Sequence, residues 1–282
     1  MEIEPSILIT GASGNVGKSV VEELEKLNID FIIGSVNNET ETKHLIRKLD
    51  FTNPSTFDSA LQGVKQVFLM RPPALANVKK YFEPFLDKCK EGGVEHIVFL
   101  SLQGVESNSM TPHHKIEKYI KEIGIPYTFV RPSFFMQNLT TTHLNEIKNG
   151  EIYVPAGKGK TSFIDTRDIG VVIAKIIKEK DQHINKSYEI TGSESFSYYE
   201  IADILSKKID KQIIYKNPNP VSFVLKQVER GTKIEFAIVM LALYSVAKLG
   251  KADNNTQVFK ELMGRDPITF EKFVEDNKGL FI

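Results

Sequence analysis

The feature that most constrains the fold is a run of three glycines near the beginning of the chain, in the segment SILITGASGNVGKSV at 6–20. The apolar run Ile7 to Thr10 predicts a strand, and apolar residues at helical spacing from about Asn15 predict a helix. A glycine-rich turn between a strand and a helix is typical of dinucleotide-binding proteins, because the first N–H groups of the helix are free to bind phosphate. The segment therefore predicts a dinucleotide-binding turn.

Each glycine of this turn is expected to have its own role. Gly11 permits the tight turn out of the strand, Gly14 lets the backbone approach a pyrophosphate, and Gly17 lets the helix pack closely on the sheet. The spacing G-x-x-G-x-x-G is longer than G-x-G-x-x-G and resembles the extended and atypical branches of the short-chain dehydrogenase/reductase superfamily. The residues predicted to contact the cofactor here are Gly11, Ala12, Ser13, Gly14, Asn15, Val16 and Gly17.

Strands and helices alternate through the first half of the chain, which predicts an α/β, Rossmann-type doubly wound parallel sheet. The predicted strands are Ser6–Thr10, Phe31–Ser35, Leu45–Leu49, Gln66–Met70, His96–Ser101 and Tyr127–Arg131, and the predicted helices are 15–27, 55–62, 74–91 and 112–123. The alternation loosens after Pro132. We therefore expect 1–132 to form the NAD(P)-binding Rossmann core, and 133–282 to supply the remaining sheet elements and a smaller C-terminal substrate-binding lobe.

Composition narrows the class of protein. Lys+Arg and Asp+Glu both number 36 in 282 residues, so no net basic charge attracts nucleic acid or an acidic membrane. The beginning of the chain, MEIEPS, lacks the features of a secretory signal, so a cytoplasmic location is expected. The longest apolar stretch, 236–249, is shorter than the ~20 residues that span a bilayer and predicts a buried helix. Cys89, the single cysteine, is predicted to be a quiet, semi-buried thiol.

Four ordered segments resemble the NmrA-like family of atypical short-chain dehydrogenases, which includes quinone and triphenylmethane dye reductases. These segments are GVEHIVFLSLQGVESNSMTPHHKIEKYIKEIGIPYTFVRPSFFMQNL at 93–139, YVPAGKGKTSFIDTRDIGVVIAKII at 153–177, YEITGSESFSYYEIADILS at 188–206 and GRDPITFEKFVEDN at 264–277. The resemblance implies a Rossmann-type fold that binds NADH or NADPH, with a cleft between the large domain and a C-terminal lobe. Some members of the family act as cofactor-sensing regulators.

The groups that typical short-chain dehydrogenases use for proton transfer are only partly present. Those enzymes use a Tyr, a Lys four residues later, and a Ser at the preceding strand end. Ser101 occupies that strand end here, but Tyr119 in the helix 112–123 is followed four residues later by Ile123. The one Tyr-x-x-x-Lys match, Tyr244 to Lys248, lies far beyond the cofactor domain and is treated as accidental.

Two histidines begin the helix where the Tyr–Lys pair is missing. The family resemblance places His113 where several reductases also carry His. The positive end of the helix dipole disfavours a charged imidazole, so we expect a neutral ring that donates a hydrogen bond to a carbonyl oxygen or to the nicotinamide ribose. Ser101 and His113 are the candidate catalytic residues, and His114 points about 100° away around the helix.

The choice between NADH and NADPH stays open in the sequence. An acidic residue at the end of the second strand would bind the ribose 2′-OH of NAD, and a nearby Arg would accommodate the 2′-phosphate of NADP. The segment FIIGSVNNETE has neither, although many NADPH-using relatives carry Arg at about the place of Val36. Ser35, Asn37 and Asn38 could hydrogen-bond either group.

The resemblance implies two further sets of cofactor contacts. In the family, the pair that follows the third strand lies near adenine, which corresponds here to Asp50 and Phe51. The residues that end the fourth strand would line the far side of the cofactor, and these are Met70, Arg71 and Pro72.

The predicted substrate side is apolar. Phe134, Phe135 and Met136 follow Pro132 at the carboxyl end of a predicted strand, the edge of an open α/β sheet where ligands bind. Phe163 is expected to help close the pocket. Such side chains suit a flat hydrophobic acceptor such as a quinone.

Asp165 and Asp168, in the segment FIDTRDIG, resemble the family's structural capping motif, with Asp168 as a helix N-cap, so neither is assigned to catalysis. No metal-ligand spacing is present in the sequence, so no metal is expected.

These patterns favour an oxidoreductase that transfers hydride from NAD(P)H to a small hydrophobic acceptor, such as a quinone or a conjugated carbonyl. Two alternatives remain: a non-catalytic NAD(P)-sensing regulator, which the missing Tyr–Lys pair favours, and an enzyme resembling nucleotide-sugar epimerases, which would need that pair. The identity of the acceptor and the oligomeric state are left open.

Overall fold

A computed structural model of the protein describes residues 5–37 and 42–282. The chain forms two compact units. The first comprises the described residues of Met1–Pro132 together with Thr166–Ile190, and the second comprises Ser133–Asp165 and Thr191–Ile282. The chain therefore passes from one unit to the other after Pro132, after Asp165 and after Ile190.

The strands in chain order are β1 Ile7–Thr10, β2 Ile32–Ser35, β3 Leu45–Lys48, β4 Gln66–Met70, β5 His96–Leu100, β6 Tyr127–Pro132, β7 Phe134–Phe135, β8 Glu151–Tyr153, β9 Lys160–Ile164, β10 Lys186–Ile190, β11 Ser195–Ser197 and β12 Ile214–Lys216. The helices are α1 Asn15–Lys26, α2 Phe57–Leu61, α3 Val78–Tyr81, α4 Glu83–Glu91, α5 Pro112–Ile123, α6 Leu144–Lys148, α7 Thr166–Lys178, α8 Lys180–His183, α9 Tyr198–Ile209, α10 Pro220–Glu229, α11 Ile234–Lys248, α12 Val258–Met263, α13 Phe270–Asp276 and α14 Lys278–Phe281. Short 3₁₀ turns occupy Pro54–Thr56, Val105–Ser107 and Met136–Asn138.

The first unit is built on a parallel sheet with the strand order β3-β2-β1-β4-β5-β6-β10 among the residues described. All of its neighbouring strands pair in parallel. This is the order of the doubly wound dinucleotide-binding fold with one strand added beyond β6, so the predicted Rossmann-type fold is confirmed. Because the strands are parallel, their carboxyl ends meet at one edge, where β1, β4 and β5 lie side by side.

The two faces of this sheet follow from side-chain alternation along β4 and β5. Val67, Leu69, Ile97 and Phe99 belong to one core cluster together with buried residues of α2, α4 and α5. Residues two apart on a strand point to the same face, so these helices cover one face of the sheet.

The second unit has a separate core. It contains the sheet β11-β9-β7 and the pair β12-β8 in the described part of the chain. Its buried residues are mostly aromatic and aliphatic side chains from these strands and from α9, α11 and α13. Tyr198 packs against Phe163, Tyr215 and Tyr244, with ring centroids 5.7 to 6.0 Å apart.

Several predicted elements need correction. The helix predicted over 74–91 begins only at Val78, where the Asn77 side chain accepts a hydrogen bond from the N–H of Lys80, and a new helix begins at Glu83. Asp168 is not an N-cap, because α7 already begins at Thr166. Cys89 is fully buried rather than semi-buried, and burial raises the pKa of its thiol, so it stays protonated.

The prediction of a buried helix over 236–249 is wrong in part. The helix exists as α11, but its buried residues are Ala237, Met240, Tyr244 and Ala247, whereas large apolar side chains such as Ile238 are exposed. Apolar residues lie on all sides of this helix, so the pattern cannot show which side packs. In residues 5–37 and 42–282, no helix combines the length and the apolar character needed to cross a membrane.

Candidate functional site

The glycine turn between β1 and α1 is closed by its own backbone. Gly11 has a φ of +66°, which glycine adopts without strain, and its carbonyl oxygen accepts a hydrogen bond from the N–H of Gly14 at 3.0 Å. A Cβ atom at Gly17 would lie 2.0 Å from the same oxygen. The close approach predicted for Gly17 is therefore made to the backbone of the turn itself rather than to the sheet.

The first turn of α1 has the features of an anion-binding site. Gly14 is the N-cap and, within the described part of the chain, no side chain accepts a hydrogen bond there and no acidic residue lies in the first turn. Val16 and Gly17 are buried, whereas Ser13 and Asn15 are exposed. The free N–H groups and the positive end of the helix dipole favour a phosphate group at this position.

Met70, at the end of β4, covers the turn from the side of the neighbouring strand. A Cβ at Gly11 would lie 2.0 Å from the Met70 methyl carbon, and a Cβ at Gly14 would lie 3.3 Å from it. The backbone of Met70 is also held in place, because its N–H donates a hydrogen bond to the hydroxyl oxygen of Thr10 at 2.8 Å. The glycine turn thus fits a dinucleotide whose pyrophosphate contacts backbone N–H groups rather than side chains.

Arg71 and Ser101 follow Met70 and Leu100, which are register partners on the adjacent strands β4 and β5. The Arg71 Nη1 donates hydrogen bonds to three carbonyl oxygens, those of Pro72 at 2.9 Å, Pro73 at 3.0 Å and Leu75 at 3.2 Å. Its Nε is buried and has no hydrogen-bond partner among the described residues. Burial lowers the pKa of this guanidinium.

Ser101 is 5% exposed, and its hydroxyl oxygen also lacks a hydrogen-bond partner in the part of the chain described. Its backbone N–H donates to the carbonyl oxygen of Val130 at 2.8 Å, which fixes its position beside β6. Two buried polar groups without partners thus occur at neighbouring positions on one sheet edge. Such groups are uncommon in native proteins, and a ligand that supplies the missing partners is one explanation of their presence.

His113 is the second residue of α5, and its ring stacks on Phe99 of β5 with centroids 6.0 Å apart. Burial, together with the positive charge of Arg71, lowers the pKa of His113 to about 3. The ring is therefore neutral at physiological pH, as the sequence predicts. The cause differs from the predicted one, since burial and Arg71 account for it rather than the helix dipole.

His114 faces a different part of the molecule. Its Nδ1 donates a hydrogen bond to the carbonyl oxygen of Val105 at 3.1 Å, and so holds the loop that follows β5. The same loop is held by Arg131, which pairs with Glu117 at 2.7 and 3.0 Å and with Glu106 at 2.6 Å. Arg131 was not predicted from the sequence, although a charged residue in the apolar strand YTFVRP is a signal that could have indicated it.

The predicted adenine-side residues are partly engaged in local contacts. The Asp50 carboxylate accepts hydrogen bonds from the N–H and the hydroxyl of Thr52 at 2.8 and 2.7 Å. Phe51 packs against Phe82 and Phe85, with centroids 5.0 and 5.1 Å away.

The residues at the end of β2 form a small exposed group. The Ser35 hydroxyl accepts a hydrogen bond from the N–H of Asn37 at 3.3 Å, and Asn37 itself is exposed. Val36 is 57% exposed. Asn38 lies outside the described residues.

The predicted substrate residues belong to the second unit and differ in exposure. Phe134 and Phe135 of β7 are half-buried, whereas Met136 and Phe163 are each 2% exposed and belong to the core of that unit. Contact of these four side chains with a substrate stays a prediction. Asp165 accepts a hydrogen bond from the Gln137 side chain at 2.7 Å.

Comparison with known proteins agrees with this architecture. The NmrA-like family model matches residues 4–274. Two curated relatives are Prestalk A differentiation protein A of Dictyostelium discoideum, 31% identical over 96% of this chain and 92% of the relative, and agroclavine dehydrogenase of Claviceps fusiformis, 30% identical over 98% and 99%.

A solved structure from Staphylococcus aureus, described as a nucleoside-diphosphate-sugar epimerase, superimposes with a TM-score of 0.85 at 27% identity, over 96% of this chain and 99% of that one. The sheet order, the glycine turn and the match along nearly the whole sequence lead to the same conclusion: the chain belongs to the NmrA-like family.

Proposed function

We propose that the protein is an NAD(P)H-dependent reductase that delivers hydride to a small hydrophobic acceptor, such as a quinone or a conjugated carbonyl. The observation that carries the proposal is the position of the Ser101 hydroxyl and the Arg71 Nε, which have no partner among the described residues, on the sheet edge that also holds the glycine turn. When bound, the reduced nicotinamide supplies the hydride. The residues of the first unit then bind and orient the two reactants.

The proposed roles divide among these residues. The turn from Gly11 to Gly17 binds the pyrophosphate, while Ser101 and the neutral His113 donate hydrogen bonds to the acceptor or to the nicotinamide ribose. The assignment of Phe134 and Phe135 to the acceptor stays a prediction from the sequence; both side chains are half-buried within the second unit.

An epimerase is disfavoured by the state of the tyrosines. Epimerisation of a sugar hydroxyl requires a base that removes its proton. Tyr119, on the helix where that base belongs, donates its hydroxyl proton to Asp87 at 2.7 Å, and this bond with burial raises its pKa to about 12. Tyr244 is buried and hydrogen-bonded to His143 at 2.6 Å, and burial raises its pKa further. Neither tyrosine is a usable base near neutral pH.

The test measures binding and turnover separately. In Gly14→Ala the new Cβ meets only ordinary or slightly tight contacts within the protein, so the fold is retained, but the methyl group lies where the pyrophosphate approaches. We expect NADPH and NADH to bind at least about tenfold more weakly by calorimetry, a loss of about 1.4 kcal/mol. Gly279→Ala, where nothing lies within 4 Å of the added Cβ, is the matched control.

Wild-type protein should also oxidise NAD(P)H in the presence of quinones or enones. Unchanged dinucleotide affinity in a folded Gly14→Ala variant would refute the cofactor site. If the protein binds NAD(P)H tightly but does not oxidise it with any of a broad panel of acceptors, the proposed reductase is refuted and a cofactor-sensing regulator is favoured.

A further inference from the structure

Arg71 is a half-buried cation that forms no ion pair with the described residues. Three backbone carbonyl oxygens hold its Nη1, yet no salt bridge to a carboxylate is formed by Arg71 within residues 5–37 and 42–282, and its Nε has no partner. A charge that is partly removed from water without a partner is unfavourable, and a ligand that brings negative charge would compensate it. The three carbonyl contacts fix the direction of the guanidinium, so it is preorganised rather than mobile.

In the described part of the chain, no negatively charged group shifts the pKa of the Arg71 guanidinium. Burial alone accounts for the lowered pKa of its guanidinium, and burial with Arg71 itself accounts for the lowered pKa of His113. A carboxylate nearby would act in the opposite direction on both groups. The Ser101 hydroxyl at the neighbouring strand end also has no partner among residues 5–37 and 42–282, so the site offers hydrogen-bond donors beside a positive charge.

We propose that the Arg71 Nε–H and the Ser101 hydroxyl bind the oxygen atom of the acceptor on which negative charge develops, so that the site selects neutral acceptors that become stabilised oxyanions and rejects cationic acceptors. This inference rests on the proposed function and adds Arg71 to it as a specificity-determining residue that touches the acceptor. Donors aimed at a developing oxyanion in a site shielded from water are the largest contribution of many enzymes to catalysis.

The electron balance limits the acceptors further. A quinone or enone gains a hydride, which carries two electrons, from the reduced nicotinamide dinucleotide, and the cofactor leaves oxidised. A π electron pair of the acceptor moves onto its oxygen, which later takes a proton from water. Neither Arg71 nor a neutral imidazole gives up a proton readily near neutral pH, so acceptors whose oxyanion is delocalised fit this site better than simple ketones, whose alkoxides need an acid.

The test uses 4-nitrophenol as a probe of the oxyanion site, because its ionised and neutral forms are distinguished by absorbance without any turnover. In the wild-type protein we expect the pKa of the bound phenol to lie below its value in water, and in Arg71→Gln to rise by at least about one pH unit relative to wild type, a tenfold change in the ionisation constant. Arg71→Lys, which keeps the charge, should restore part of the shift. Lys118→Gln removes an exposed cation of α5 and should have no effect.

Two further measurements separate this proposal from the proposed function. NADPH affinity of Arg71→Gln, measured by calorimetry, tests the predicted cofactor contact of Arg71. The ratio of kcat/KM for a neutral benzoquinone to that for a cationic triphenylmethane dye tests the acceptor contact and should fall at least tenfold. A wild-type protein that does not bind the phenol, or that leaves its pKa unshifted, would overturn the oxyanion site even if NADPH binds. Loss of NADPH affinity with an unchanged phenol pKa would make Arg71 a cofactor contact instead. Failure of the wild type to bind NADPH, with the phenol shift intact, would refute the reductase but leave the oxyanion site.

Discussion

His96 is expected to make the free energy of unfolding depend on pH. It lies at the start of β5 with its side chain fully buried, and its Nε2 is 2.8 Å from the hydroxyl oxygen of Thr128. That hydroxyl donates to the carbonyl oxygen of His183 at 2.7 Å, so its oxygen accepts from His96 Nε2–H. The other ring nitrogen, Nδ1, is buried and has no partner among the described residues. Protonation of Nδ1 would create a buried, positively charged ring whose new N–H has no hydrogen-bond acceptor among the described residues.

The magnitude follows from the pKa. Burial, with a smaller contribution from the charges of Lys180 and His183 and an opposing one from Asp181, lowers the pKa of His96 from 6.5 to about 4. A folded-state pKa below the unfolded value gives stability that is fully present above pH 6.5 and is lost as the pH falls towards 4. At about 1.36 kcal/mol per pH unit, a difference of about 2.5 units corresponds to about 3 kcal/mol.

The perturbation is His96→Gln, whose amide can still donate to Thr128 but does not titrate. The free energy of unfolding is measured by denaturant titration between pH 4 and pH 8, followed by circular dichroism because the chain has no Trp. At pH 8 the variant is expected to be equal to or less stable than wild type. Between pH 7.5 and pH 4 the difference should move in favour of the variant by about 3 kcal/mol. Parallel curves for the two proteins would refute the reasoning, as would a His96 ring that titrates near pH 6.5 by NMR in the folded state.

Two more predictions concern the reaction. His113→Ala should lower kcat about 10²-fold, the effect of losing one positioned donor, with little change in NADPH affinity. The wild-type kcat/KM should show no ionisation of His113 between pH 5 and pH 8, since its pKa is about 3. His114→Gln is the control, and equal losses of kcat in both variants would assign the effect to the helix rather than to His113. Val36→Arg should favour NADPH over NADH by only about two- to fivefold in calorimetric titrations, because Val36 is 57% exposed and a solvent-screened ion pair is weak; an unchanged ratio would place the 2′-phosphate elsewhere.

The parts of the molecule predicted well from the sequence are those decided by local patterns. The strands of the parallel sheet are recognised in the sequence as short apolar runs. The left-handed φ at position 11 favours glycine, and glycine is the residue found there. The burial of Met136 and Phe163 depends instead on what other segments pack against them, and the exposed face of α11 depends on which side finds a partner. Neither is encoded by spacing.

The candidate site shows the same division. The positions of Ser101 and His113 follow from the order of strand and helix. That the Arg71 Nε has no partner among the described residues can be found only from the three-dimensional structure. The neutral state of His113 was expected from the helix dipole, an effect visible in sequence. Its main cause is burial beside Arg71, which lies 42 positions earlier in the sequence and comes close only through the pairing of β4 with β5.

The first unit is built from two separate segments of the chain, so it cannot be completed until the second segment has been synthesised. α7 packs on α1 so closely that a Cβ at Gly170 would lie 2.7 Å from Ser19, and β10 covers the edge of β6. Both elements are synthesised after residues 133–165, which belong to the second unit. A nascent chain that has emerged only to Pro132 therefore exposes the bare edge of β6 and an uncovered α1, surfaces that invite association with other chains. The sheet of the first unit is completed only when Ile190 has left the ribosome, so the edge of β6 stays open throughout the synthesis of residues 133–190.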